Sequence, residues 1–231
     1  MSLCANIVKL SSKEGSQTAS IICRHCAHAL GTRDEATDGW RIQKWALGVR
    51  SASSLSNNPT TYTTQKWISA RLLYLIENSG VRKFHIHPTR ATSLPPTLTE
   101  TSSSTLLEPA TPVPSLLIWV FTPDLFFSSS IPTPNRLDPT RSIKVFYQRQ
   151  TWQPLQPGEP ESASIEDVEF PEDLYLELDK VLRESRMLLP PTTRKFQGWD
   201  VGLLERFDIC DVRSAEEAKW ASDGLHSEEV D

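Results

Sequence analysis

Two periodicities run along this chain, and the points where one gives way to the other predict its elements. From Thr64 to Ser79 the apolar residues Ile68, Leu72, Leu75 and Ile76 fall at i, i+4, i+7 and i+8, one stripe along a helix. Thr63 or Thr64 offers a capping hydroxyl at its start, and Gly80 suits the left-handed residue that ends a helix. A second helix is predicted after Pro171, with Leu174, Leu178, Val181 and Leu182 as its buried stripe. Glu172 and Asp173 sit at the positive end of its dipole, Arg183 and Arg186 at the negative end, and Pro190-Pro191 stop it. Gln197 to Phe207 reads as a further short helix through Leu203, Leu204 and Phe207.

Alternation with period two marks strands at Arg41 to Val49, Lys83 to His87 and Ser142 to Gln148. In the first, Trp45, Leu47 and Val49 share a face; in the last, Ile143, Val145 and Tyr147 do. Ser115 to Phe121 is almost continuously apolar, the pattern of a central strand covered on both faces. It pairs antiparallel with the Ser142 strand across a proline-rich connection from Pro123 to Thr140. Trp45 and Trp119, both placed on strands, read as core residues.

The remainder is connection. Residues 1–20 read as an edge strand or a frayed terminus. Residues 89–115 are rich in Thr, Ser and Pro and hold too few large apolar side chains to offset the entropy of ordering, so a disordered insertion is expected. Trp152 to Glu169 reads as an acidic linker and residues 211–231 as a charged tail. The whole predicts an α+β fold: one domain over residues 21–210, a mostly antiparallel sheet with two or three helices packed on one face and long Pro/Ser/Thr-rich loops.

Charge narrows the partners. The 231 residues carry a net charge of -5, and the nearest thing to a basic stretch is Arg82-Lys83 with Arg90 further on, which is no phosphate-binding footprint. No window of about 18 apolar residues exists, so no membrane-spanning helix is expected. Met1 to Glu14 has no charged start, apolar stretch and cleavage site in the order of a secretory signal. With only Cys4, Cys23, Cys26 and Cys210, reduced thiols in the cytoplasm or nucleus are the simpler reading.

Cys23 and Cys26 have metal-ligand spacing, since two intervening residues let both thiolates reach one zinc ion from a tight turn. His28, two residues on, is the nearest third ligand, giving Cys23, Cys26 and His28 as the candidate zinc set. Cys4, His25, Cys210 and the His85/His87 pair are the other donors in the chain. The plain alternative is a pair of reduced thiols in a turn, and a redox role lacks the thioredoxin-like strand and helix. His85 and His87 point the same way from their strand, either as ligands or, preferably, as a solvent-facing edge. Cys210 lies between Asp208 and Asp211, whose charge opposes a thiolate, and is assigned no catalytic role. The sequence assembles no Ser-His-Asp grouping and no glycine-rich phosphate loop, so catalytic residues stay unassigned.

Several segments, in order, carry a family resemblance. Cys23-Arg24-His25-Cys26 is followed by Leu30-Gly31 and by Trp40-Arg41-Ile42-Gln43-Lys44-Trp45. Leu117 to Phe121 with Pro123-Asp124-Leu125, then Arg141 to Tyr147, then Leu188-Leu189-Pro190 and Trp199 to Leu204, complete the series. Over residues 21 to 207 the chain resembles the C-terminal portion of a fungal-type member of the HECT-like, ubiquitin-conjugating-enzyme-binding family. Members compared with it carry a longer N-terminal region. The resemblance implies association with a ubiquitin-conjugating enzyme and a protein substrate, and a ubiquitin-ligase activity. It does not imply the fold of an authentic HECT catalytic domain. The rival readings are a non-catalytic adaptor or client-stabilising protein, and a truncated family member without activity.

Overall fold

A computed structural model describes residues 8–11, 20–34, 36–48, 61–89, 112–132, 136, 138–153 and 162–211. The chain divides into two compact units, one holding the described residues up to Thr63 and the other spanning Thr64–Asp211. The sequence reading drew one body across residues 21–210; the contacts divide that span after Thr63.

The first unit is a four-stranded antiparallel meander of β1 (Val8–Ser11), β2 (Ser20–Cys23), β3 (Ala29–Asp34) and β4 (Gly39–Ile42). Val8 lies opposite Cys23, and among the described residues Ile21 and Leu30 are the buried apolar side chains of this unit. The strand expected at Arg41 to Val49 is not formed. β4 ends at Ile42, and Lys44–Ala46 turns into a single 3-10 turn whose Trp45 is half-buried.

The second unit holds α1 (Thr64–Ser79), β5 (Lys83–Pro88), β6 (Val113–Phe127), β7 (Thr140–Trp152), β8 (Glu166–Phe170), α2 (Glu172–Met187), β9 (Lys195–Phe196) and β10 (Trp199–Glu205). Its six strands lie in the order β8-β5-β6-β7-β10-β9. Every pairing is antiparallel except β5 with β8, so the α+β reading holds. Both helices follow their stripes: Ile68, Leu72 and Leu75 of α1 and Leu174, Leu178, Val181 and Leu182 of α2 are buried. The chain leaves α1 through Gly80 at φ +73°, its N–H bonded to the Ile76 carbonyl at 2.8 Å, the left-handed stop that only glycine takes without cost. Past the C-terminus of α2, Arg194 folds back and donates to the carbonyls of Leu189 and Met187.

Helix and sheet meet on one face. Ile118, Val120, Ile143, Val145 and Leu204 are sealed there, and Tyr147 donates its hydroxyl to the Leu182 carbonyl. Burial raises that phenol above its ordinary pKa. At Gly202 a Cβ would lie 2.8 Å from Leu182 Cδ2, so the missing side chain lets α2 approach β10 closely. The outer side of β10 is met by helix side chains. Ser185 Oγ accepts the Leu203 N–H at 3.0 Å, Gln65 Oε1 accepts the Glu205 N–H at 3.1 Å, and Ser69 Oγ donates to the Glu205 carbonyl at 2.7 Å.

Four expectations need correcting here. Gln197 to Phe207 is the strand β10, not a helix: Gln197 and Gly198, both at positive φ, turn the chain from β9 into a register with β7 that buries Val201 and Leu204. The acidic linker contains β8, whose Val168 and Phe170 are buried while Asp167 and Glu169 are exposed. β6 runs beyond Phe121 through Pro123 to Phe127, because register shifts after Val120 and after Thr122 accommodate the residue that lacks an N–H. It also begins at Val113, inside the expected insertion, of which residues 90–111 lie outside the described residues, as do residues 212–231 of the expected tail.

Candidate functional site

β6 alternates as a strand must, so the residues between its helix-facing Leu116, Ile118 and Val120 point to the opposite side. There the sequence places rings. Trp119 is opposite Phe146 of β7 and Lys83 of β5, and Phe146 is opposite Val201 of β10. Phe146 is buried at the centre. Phe121 lies 4.8 Å from it, Phe196 stacks on it at 5.0 Å and Trp119 meets it edge-on at 5.4 Å. Trp199 stands 6.2 Å from Trp119. Phe121 and Phe196 are 45% and 43% exposed, large values for phenylalanine, and they flank a centre that is already dry. Two ammonium groups lie over the rings: Lys83 over Trp119 at 5.2 Å, and Lys144 over Phe121 and Phe146 at 5.8 and 5.6 Å. No ion pair among the described residues involves either lysine. Trp119, expected in a two-sided core, therefore belongs to a partly open aromatic surface.

The Cys23–Cys26 turn joins β2 to β3 in the first unit. Its backbone closes with Cys23 N–H to the His28 carbonyl at 2.8 Å and Ala27 N–H to the Cys23 carbonyl at 2.9 Å. Ala27 takes φ +56° to complete the turn. The N–H groups of Cys26 and His25 donate to Cys23 Sγ, and the Cys26 thiol is within hydrogen-bond reach. Together, in that order, they hold the Cys23 thiol below its ordinary pKa. Both thiols are free. His25 and His28 are exposed. Among the described residues no three His, Cys, Asp or Glu side chains come together as a metal-holding group.

His85 and His87 are not at a solvent-facing edge, because β8 pairs beside β5 and makes it an interior strand. His87 is 1% exposed and stacks on Trp152 with ring centroids 3.8 Å apart. His85 Nε2 lies 2.9 Å from Ser115 Oγ, and its Nδ1 lies 3.6 Å from Asp167 Oδ1. Desolvation lowers the His85 pKa, opposed by Asp167 and aided by His87. Serine, histidine and aspartate thus stand in the order of a hydrolase triad, a grouping the sequence did not assemble. Ser115 is 1% exposed, however, so no acyl group reaches its oxygen. The grouping ties three strands together.

Cys210 is exposed. The carboxylates beside it are compensated, Asp211 by Lys66 at 2.8 Å and Asp208 by Arg141 at 4.0 Å. Asp124, in the Pro-Asp-Leu motif, takes a two-pronged bond from Arg141 at 2.9 and 2.7 Å, which holds its carboxyl below the usual range. Arg206 donates to the Pro123 carbonyl at 2.7 Å. These charges brace the β6 irregularity against β7 and the end of β10.

A family model described as HECT-like ubiquitin-conjugating enzyme (E2)-binding matches residues 1–201. The chain belongs to that family. Membership places this HECT-like protein in the ubiquitin pathway, among proteins that bind a ubiquitin-conjugating enzyme. No curated protein and no solved structure matches it. The segments that carried the resemblance now have positions in the HECT-like chain. The cysteine pair and the Lys44-Trp45 segment lie in the meander. Leu117 to Phe121, Arg141 to Tyr147 and Trp199 to Leu204 are the adjacent strands β6, β7 and β10, and each contributes rings to the aromatic surface.

Proposed function

We propose that this protein docks a ubiquitin-conjugating enzyme on the aromatic surface of the second unit and promotes ubiquitin transfer by positioning. The observation that carries this reading is the set of exposed rings, Phe121 and Phe196, around the buried Phe146, with Lys83 and Lys144 over the rings. Aromatic side chains ringed by less apolar groups are what anchor protein interfaces. The lysines select a partner surface that sets carboxylates beside an apolar patch. Transfer then needs no thioester on this chain. Holding the conjugating enzyme's thioester and an acceptor lysine in one geometry lowers the barrier by converting an encounter of separate molecules into a reaction within one complex.

Discharge of a ubiquitin-charged conjugating enzyme onto lysine, with and without the protein, tests the reading. Acceleration is expected from wild type and from Cys210→Ser. Phe121→Asp with Phe196→Asp removes both acceleration and binding while leaving the melting temperature near that of wild type, because both rings are surface groups. Equal discharge rates with and without the protein, or loss of activity in Cys210→Ser, would sink the positional mechanism. Binding without any effect on discharge would favour an adaptor.

A further inference from the structure

We propose that the outer edge of β8 accepts an extended, arginine-bearing segment of a partner protein as an added strand, with one arginine side chain seated in the cavity beside it. The case starts from the backbone. β8 pairs with β5 on one side and ends the sheet among the described residues. On the β5 side the Phe170 carbonyl accepts the Thr89 N–H at 2.7 Å. Backbone groups of successive strand residues point to opposite sides. Those of Glu166, Val168 and Phe170 therefore face β5, and those of Asp167 and Glu169 face outward. Among the described residues nothing bonds the outward N–H groups. Strand addition draws its affinity from such a row, and pockets for alternate side chains supply its specificity.

Charge and shape decide the occupant. Three of the five residues of β8 are acidic: Glu166, Asp167 and Glu169. Among the described residues none of them pairs with a lysine or arginine; Glu166 accepts the Ser79 hydroxyl at 2.8 Å, and Asp167 faces His85. Desolvation keeps that imidazole's pKa low, so at neutral pH it leaves the Asp167 charge uncancelled. Beside these groups lies a cavity of about 680 Å³, whose walls include His85, Thr151, Trp152, Glu166 and Asp167. Its size falls within the roughly 300–1,000 Å³ of ligand sites. A side chain opposite Asp167 on an added strand falls on the same face as its carboxylate, and so over this cavity. A guanidinium there meets two carboxylates and an indole, which suit its planar, delocalised charge better than a lysine ammonium. Alternate residues of the added strand continue the apolar face of Val168 and Phe170.

The test uses the full chain and a synthetic peptide of alternating arginine and valine. Its controls are the glutamate–valine and lysine–valine counterparts and an arginine–proline peptide, which cannot pair as a strand. Amide exchange followed by NMR is expected to show the Asp167 and Glu169 N–H groups becoming protected as the arginine–valine peptide binds. The glutamate–valine and arginine–proline peptides leave them unprotected, and the lysine–valine peptide binds several-fold more weakly. Asp167→Lys with Glu169→Lys is expected to weaken the arginine–valine peptide roughly tenfold or more and to admit the glutamate–valine one. Thermal unfolding checks that this variant is folded, and Glu169→Lys alone is the milder probe, expected to shift the preference the same way. Phe121→Asp with Phe196→Asp binds the peptide as wild type does, so the edge is tested apart from the aromatic surface. No protection at Asp167 and Glu169, or equal binding of the glutamate–valine or arginine–proline peptide, would overturn the added strand. Equal binding of the lysine–valine peptide would overturn the seated guanidinium.

Discussion

At the scale of single residues, two positions translate directly into measurements. A methyl group at Gly202 would lie 2.8 Å from Leu182 Cδ2 and 3.4 Å from both Ser185 Oγ and the Tyr147 ring. Gly202→Ala therefore pushes α2 off the sheet and is expected to destabilise the second unit by about 1–3 kcal/mol, read from denaturant unfolding. His85 gives a pH dependence. Its folded pKa is lowered, so the unfolded chain binds the extra proton first as pH falls. The stability it contributes is complete above its unfolded value of about 6.5 and is lost as pH drops from there through the folded value. Unfolding followed between neutral and mildly acidic pH is expected to show this decline, and His85→Gln is expected to flatten it. Neither role is legible in the sequence. The alternation of Phe84, His85, Ile86 and His87 was plain, but whether histidines on that face meet water depends on β8 pairing beside them, and that pairing is a long-range event. The cysteine turn was legible because its spacing is local.

Among the elements, the helices declared themselves and the strands did so unevenly. α1 and α2 carry stripe and stop signals within a few residues, and local sequence decides them. β10 misled because Leu203, Leu204 and Phe207 also fit a helical turn, and only the Gln197-Gly198 reversal and the partner β7 decide for the strand. β8 hid because its charges drew attention from the alternating Val168 and Phe170. β6 was cut short at Phe121, since nothing in Pro123 announces that a bulged strand continues through it. β10 also supplies a prediction at this scale. Its outer N–H groups are answered by Ser185 and Gln65. Ser185 is 7% exposed, so Ser185→Ala leaves the Leu203 N–H buried without its acceptor and is expected to cost about 1–3 kcal/mol, whereas Ser185→Thr, which keeps a hydroxyl, is expected to recover part of the loss.

For the whole molecule, the division after Thr63 matters most. The span Thr64–Asp211 has its own sheet, two helices and, among the described residues, most of the buried apolar side chains. Residues 64–211 expressed alone are expected to unfold cooperatively and to retain the aromatic surface, with binding of the conjugating enzyme close to that of the full chain. A fragment that folds but fails to bind would move the interface to the meander. The aromatic surface was missed in the sequence because its rings come from four separate strands, β6, β7, β9 and β10. Trp119 reads as core in the sequence, and only the sheet order shows that it faces away from the helices. The sheet's other limit is β8, the terminal strand among the described residues, and it carries Glu166, Asp167 and Glu169. A strand border that repels its own copy resists stacking into fibres. Replacing those carboxylates by their amides, as Glu166→Gln, Asp167→Asn and Glu169→Gln, removes the repulsion and turns the same border into a template for insoluble assemblies.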